Sequence, residues 1–304
     1  MIVPLSNEQL DAMRNIFPRT ILEIDQDLAI IRHWLDKQPH LPKISDDVLK
    51  KFMFSLKYRM DKIKIVIDNF YTVKESYPQY YHQLDPCTDS FRKIVNAVYI
   101  CPLPKLTPDL SRVYCYRMAS LNSELEVEKQ IKRHEMMWSW LFNKDPLTLR
   151  NVWIFDTSYM TSMAQWGQFN LAFLKNILKI CMDAKPVRIK KIYIINVSSI
   201  ADTTLNLIKH FFPQKFRDRF VISSNVQCLQ EDIPLDMLPN EWGGQAGSLE
   251  TLSNEMYLEM VKSRDWYIEM EHVKADSRKR IIQKENGDES ILGVEGNFKK
   301  LNVD

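Results

Sequence analysis

Apolar positions in the middle of the chain gather into two short runs, Leu149-Arg150-Asn151-Val152-Trp153-Ile154-Phe155-Asp156 and Lys191-Ile192-Tyr193-Ile194-Ile195-Asn196-Val197. Each is rich in β-branched and aromatic residues and ends in small polar side chains, the pattern of a strand buried on both faces in a mostly parallel sheet. Between them Phe169, Phe173, Ile177 and Ile180 recur at helical spacing, which predicts strand, helix, strand with a right-handed crossover. Arg112 to Met118 predicts an earlier strand, the first of this domain. Glu124 to Phe142 predicts a long amphipathic helix with Ile131, Met137, Trp138 and Leu141 towards the core, ended by Asp145-Pro146. After the second run, Ile200 to Phe212 predicts an unusually apolar helix.

Upstream the period is helical throughout. Ser6 with Gln9 forms a capping-box pattern, and Leu22, Ile24, Leu28, Ile31 and Leu35 share a stripe closed by Pro39 and Pro42. Ser45-Asp46-Asp47 caps a helix with Leu49, Phe52, Met53 and Leu56 on one face; Ile63, Ile67, Phe70 and Tyr71 belong to another that stops before Pro78. These incomplete faces pack most simply on one another, with Lys57, Lys62 and Lys64 on the solvated side. Pro86, Pro102, Pro104 and Pro108 interrupt any long helix. The expected organisation is a helical bundle over 1–85, a Pro-rich connection over 86–108, an α/β domain over 109–265 and a C-terminal helix and tail over 266–304.

Composition narrows the function classes. With 304 residues and 45% hydrophobic content the chain can bury a sizeable core. A formal net charge of +2 provides no global basic field for nucleic acid. The cysteines Cys87, Cys101, Cys115, Cys181 and Cys228 never fall in a C-x-x-C pair, so free thiols in a reducing compartment are expected, without a disulfide framework or a metal site. No charged start followed by an apolar core opens the chain, and no run approaches the ~18 apolar residues of a membrane span. A cytoplasmic protein is the expectation. No phosphate-cradling glycine turn, G-x-S-x-G elbow or H-E-x-x-H helix occurs, and His33, His40, His82, His134, His210 and His272 are isolated in sequence. Asp156 ends a strand, where α/β folds place working residues, but it reads more simply as a partner for the turn that follows. Neither a catalytic group nor a cofactor is expected.

Trp153, Phe155, Tyr159, Met160, Met163, Trp166, Phe169 and Phe173 crowd a short stretch. They are either plain core or the wall of a cavity for one hydrophobic ligand. Two basic clusters, Arg188, Lys190 and Lys191 ahead of the second strand and Lys215, Arg217 and Arg219 after the apolar helix, form a positive patch if the fold joins them. Such a patch beside an apolar helix suits an anionic membrane better than nucleic acid.

Leu238-Pro239-Asn240-Glu241-Trp242-Gly243-Gly244 matches an L-P-x-E-aromatic-G-G signature, and by it the chain resembles the CRAL-TRIO lipid-binding family, in its tocopherol-transfer-like branch. The resemblance extends to Ile154-Phe155-Asp156, Ile194-Ile195-Asn196, the Phe-x-x-x-Lys-x-Arg-x-Arg run ending at Arg219, and Asp46-Asp47 through Lys57-Tyr58. Gly293 to Leu301 looks like the tail of insect members. The resemblance implies an α/β domain with a mobile helical gate over an apolar cavity, a small helical domain before it, and transfer of one lipid between membranes without chemistry. Positions matching the ligand wall are Phe155, Ile177, Ile180, Cys181, Val187, Ile192 and Ile194; Met137, Leu141 and Tyr159 join them as pocket candidates. The matching gate residues are Leu205, Ile208 and Phe211. Arg188, Lys190, Lys215 and Arg219 match a phosphoinositide site, although Phe54 stands where the family usually has a further arginine. Tyr159 replaces a usual glycine and either narrows the pocket or offers its hydroxyl to the ligand. The expected partners are a tocopherol, retinoid, carotenoid or other isoprenoid and, transiently, an anionic membrane with phosphoinositide as a candidate head group, bound by a monomer. Two rivals stay open: a regulatory scaffold with the same fold and a collapsed cavity, and, less favoured, an enzyme acting on a hydrophobic substrate with Asp156 and Tyr159 as its candidate groups.

Overall fold

A computed structural model of the protein describes residues 2–144, 148–198, 201–202, 205–206, 209–210 and 212–281. A five-stranded sheet lies at its centre: β1 (Val98–Pro102), β2 (Ser111–Met118), β3 (Arg150–Asp156), β4 (Ile189–Ile195) and β5 (Phe220–Ile222), in that spatial order. β1 runs antiparallel to β2 and the other pairs are parallel. Alternation along each strand divides the core. Tyr116, Trp153, Phe155, Ile192 and Ile194 face one side, while Val113, Cys115, Val152, Ile154, Tyr193 and Ile195 face the other, against Leu229, Leu238, Trp242 and Leu249. Both faces are covered, which is why β3 and β4 read as near-continuous apolar runs.

Two strands depart from the expectation. β1 lies inside the supposed Pro-rich connection, whose residues also include a helix over Asp89–Ala97. Pro102 ends β1 at the sheet's edge, where a missing N–H leaves no ladder bond unmade. β5 has only three residues and is half-buried, too short for a periodic signal.

The helices ahead of the sheet are α1 (Asn7–Ile16), α2 (Ile21–Leu35), α3 (Asp46–Ser55), α4 (Met60–Ser76), α5 (Pro78–Tyr81) and α6 (Asp89–Ala97). Ser6–Gln9 and Thr20–Glu23 form capping boxes at α1 and α2, and Ser45 accepts from Val48 N–H at α3. Within the α/β part, α7 (Val127–Lys144), α8 (Met163–Gly167) and α9 (Leu171–Asp183) lie between β2 and β4, and α10 (Gln214–Arg217) precedes β5. One continuous buried cluster runs from Leu28 and Phe52 through Trp138 to Ile192, so the helical region and the sheet share a core.

After α11 (Leu249–Lys262) and α12 (Arg264–Met270) the chain returns to the helical region. Ala275 N–H donates to Tyr71 O over 3.0 Å and Asp276 N–H to His40 O over 2.8 Å. The Arg280 guanidinium grips Asp68 through two bonds of 2.8 and 2.6 Å. No described helix is long and apolar enough to cross a membrane. Asp145-Pro146, expected to end the α7 helix, Ile208 and Phe211 of the expected gate, and Gly293 to Leu301 lie outside the described residues.

Candidate functional site

Between the Trp153–Phe155 face of the sheet and helices α7 and α9 lies a cavity of two adjoining lobes, about 150 and about 200 Å³. Trp153, Phe155, Met160, Phe169, Ile177 and Cys181 wall both lobes. The larger lobe continues along Ile192, Ile194, Leu205, Phe212 and Phe220 with almost no polar surface. The smaller lobe has a polar end. Tyr116 Oη and His134 Nδ1 lie 2.8 Å apart, and burial, aided by the Lys185 charge, pushes the His134 pKa down to about 3, so the ring is neutral. Gln130 spends its amide N–H on Ile94 O, 2.8 Å away, which leaves Oε1 buried without a partner among the described atoms. Trp153 Nε1–H is likewise buried and unpaired. An unmet buried donor or acceptor costs about 1–3 kcal/mol, so both groups favour a ligand that carries a hydrogen-bonding end.

Phe155, Ile177, Cys181, Ile192, Ile194 and Leu205 thus stand together in one wall. Five other pocket candidates do not. Tyr159 lines neither lobe; it accepts from Arg117 Nη2 at 3.0 Å, with the guanidinium 4.8 Å from its ring, and Arg117 in turn borders the smaller lobe. Ile180 turns away on α9 and packs on Val73, Tyr77 and Tyr80 of the helical region. Met137 belongs to the core behind α7, and Leu141 and Val187 border a small cleft beside Lys51 and Arg188. Gln130 and His134 were not anticipated, because a polar residue on an amphipathic helix carries no mark that its side chain is buried, and neither was Tyr116, which alternation on β2 set apart from the apolar positions Val113 and Cys115. Ile131 and Trp153 were visible as apolar positions.

Asp156 is a structural hub. It accepts from Ser158 N–H at 2.9 Å, Asn196 Nδ2 at 2.9 Å and Trp242 Nε1 at 2.8 Å, and Arg117 Nε lies 3.5 Å away. The signature loop is thereby pinned to the ends of β3 and β4. Glu241 accepts from Leu249 N–H over 3.0 Å at the start of α11. A Cβ on Gly244 would sit 1.9 Å from Leu238 O, so only glycine fits there.

Next to the larger lobe, with which it shares Cys181 and Phe216, the four expected cations Arg188, Lys190, Lys215 and Arg219 meet in a cleft of about 530 Å³. Lys57, Arg59, Lys62 and Arg150 join them at its rim, where Lys57 and Lys62 are exposed to solvent. The corner between α3 and α4 is left-handed at both Lys57 (φ 58) and Tyr58 (φ 55), a conformation unfavourable for side-chain-bearing residues. It directs this basic stretch into the cleft. Lys190 is held by Asp109 at 2.9 Å and Asp232 at 2.7 Å. Arg188 stacks over Phe17 and Phe54, at 5.1 and 5.8 Å, and its Nε is buried without a partner. Burial and the Arg150 charge lower its pKa to about 10. Phe54 therefore supplies a surface for Arg188, while Lys57, Arg59 and Lys62 bring charge from the helical region.

A mostly parallel sheet covered by helices, with an apolar cavity between one face and helices α7 and α9, defines an α/β fold with a site for an apolar ligand. The CRAL/TRIO domain family model matches residues 96–244, and a Pinta-like, UBA domain model matches residues 21–91. The chain belongs to the CRAL-TRIO family of lipid-binding proteins. It is 25% identical over 232 residues to the alpha-tocopherol transfer protein-like protein of Mus musculus, covering 75% of this chain and 67% of that one. The Homo sapiens protein of the same name is 24% identical over 230 residues, covering 74% and 67%. The crystal structure of Sfh5 superposes with a TM-score of 0.51 at 14% identity, over 87% of this chain and 99% of that one, a likeness of fold.

Proposed function

We propose that the protein is a cytoplasmic, monomeric carrier that encloses one isoprenoid-like lipid and passes it between membranes, docking peripherally through the basic cleft. The carrying observation is the cavity's asymmetry: one lobe almost wholly apolar, the other ending at the unpaired acceptor of Gln130 and the Tyr116–His134 pair, with the unpaired Trp153 donor in the wall they share. A long apolar body with a single hydroxyl or carbonyl end fits that arrangement, and tocopherols, retinoids and carotenoids with a polar end are the candidates. Burying ~300 Å² of apolar ligand at ~25 cal/mol per Å² contributes roughly 7 kcal/mol before ordering costs, enough for micromolar or tighter binding. The gate is assigned to the segment carrying Leu205, whose buried side chain closes one wall. The clustered cations suit a multiply phosphorylated head group, which would favour the open carrier at the membrane.

The test is native mass spectrometry with organic extraction of protein from its source tissue. One stoichiometric isoprenoid, with affinity lowered about tenfold or more in Gln130→Leu or Trp153→Phe, is expected. An empty protein that also refuses tocopherols, retinoids and carotenoids would overturn the carrier reading in favour of a scaffold.

A further inference from the structure

A second cavity, about 240 Å³, lies on the opposite side of α7 from the first, enclosed by α4, α5, α7 and the segment through α12. Its walls are largely aromatic, with Phe70, Tyr71, Tyr80 and Trp266 prominent. Among them sits the ammonium group of Lys74, whose side chain is only 9% exposed. Nζ lies 4.6 Å from the Phe70 ring centre and 5.3 Å from that of Tyr71, and its one polar contact is a long one, 3.5 Å to Val273 O. No described carboxylate pairs with it. The acid nearest in function, Glu135, is committed elsewhere: Lys185 Nζ lies 2.6 Å from Oε1, and Tyr81 Oη donates to Oε2 over 2.7 Å.

A buried cation without a counter-ion is unfavourable unless something completes it. Ring faces and one distant carbonyl compensate only in part. An anion entering this cavity would find a cation already desolvated, and an apolar body would find aromatic walls. Engineered cavities of about 150 Å³ hold benzene, so this one admits a longer body. We infer that the cavity behind α7 is a binding site for an amphipathic monocarboxylate of medium-chain fatty-acid size, with Lys74 as its counter-ion. Anions with several charges are disfavoured, because Lys74 is the buried cation and Lys43, at the rim, is exposed to solvent.

Burial lowers the Lys74 pKa to about 8, with Glu135 opposing the shift. The charged groups around it are Glu135 from α7, neutralised as above, Glu271 beyond α12, which accepts from Leu84 N–H, and Lys43 ahead of α3. The Tyr71, Tyr80 and Tyr81 hydroxyls have pKa values raised by burial and stay neutral at pH 7–9. Lys74 is therefore the group that titrates in this range.

The test is calorimetric titration of the full chain with decanoate, and with decanol as the uncharged control. Decanoate is expected to bind one equivalent at pH 7 and about tenfold more weakly at pH 9, as the protonated fraction of Lys74 falls from ~0.9 to ~0.1. Decanol should show no such dependence. Lys74→Met should raise the melting temperature of the free protein, by removing an unpaired buried charge, and weaken decanoate at pH 7 by at least tenfold. Unchanged decanoate affinity in Lys74→Met, equal affinity at both pH values, or no binding to wild type would each overturn the inference. The melting temperature reports whether the variant folds.

Discussion

Reversing the two cations beside β5, Lys215→Glu with Arg219→Glu, should abolish preference for anionic membranes while leaving lipid affinity intact. Lys215 is exposed, Arg219 half-buried, and neither forms an ion pair among the described residues, so both charges are available to a surface. Each basic residue near an anionic bilayer contributes ~1 kcal/mol. The double reversal removes two such contributions and adds two opposed ones, ~4 kcal/mol in all, or about a thousandfold in partitioning at low salt. At physiological salt, with a Debye length of ~8 Å, the effect shrinks but persists for charges within a cleft. The residue between them, Phe216, is buried and walls the lipid cavity, whereas Lys215 and Arg219 do not touch it. The assay is co-sedimentation with neutral and with anionic vesicles, paired with transfer of a fluorescent tocopherol between vesicles. Equal binding of the wild type to both vesicle types, or unchanged transfer by the double variant, would refute the role of the cleft.

Further outcomes follow from packing. Gly244→Ala forces a Cβ against Leu238 O and should destabilise the fold by ~3 kcal/mol, seen as a fall of roughly 6 °C in Tm. Lys185→Met leaves Glu135 buried and uncompensated, which should cost about 3–5 kcal/mol at pH 7.5. In the wild type, against its burial, the Lys185 charge and the hydrogen bonds from Lys185 and Tyr81 hold the Glu135 pKa below its usual value. The pair's contribution is thus present above pH ~4.5 and lost as pH falls through the lowered value. In the variant burial instead raises that pKa, so the deficit should narrow from pH 7.5 to pH 5 in urea melts, and adding Glu135→Gln should recover much of it.

What could be read from the chain was local periodicity. β2, β3 and β4 stood out because both sheet faces are buried, and the capped starts of α1 and α3 because their caps lie within four residues of each other in sequence. The signature loop was legible as a motif, yet its purpose, bonding Trp242 to Asp156 across the sheet, was not. Pairings between distant segments carry no local mark. Nothing local joined Glu135 to Lys185, and Lys57 and Lys62 read as a solvated face with no sign that they would lie beside the basic run at Lys215 and Arg219. On α9 the helical period grouped Phe173, Ile177 and Ile180 into one stripe, but Phe173 and Ile177 reach the cavity while Ile180 is rotated onto the helical region. Tyr159 was rightly a position of interest, and only the location of Arg117 decided which way its hydroxyl is used.

The C-terminal return has a consequence for modularity. Family models divide the chain between residues 91 and 96, but Arg280 on Asp68, Asp276 on His40 and Arg264 on Asp85 at 2.6 Å carry the last helices back across that division. The sheet is thus bracketed by one helical layer woven from both ends of the described chain. A fragment cut at the family boundary would expose Phe91, Ile94 and the aromatic cavity behind α7 together. The division is a frontier in sequence only, and the folded molecule would have to be inherited, exchanged or engineered as a single piece.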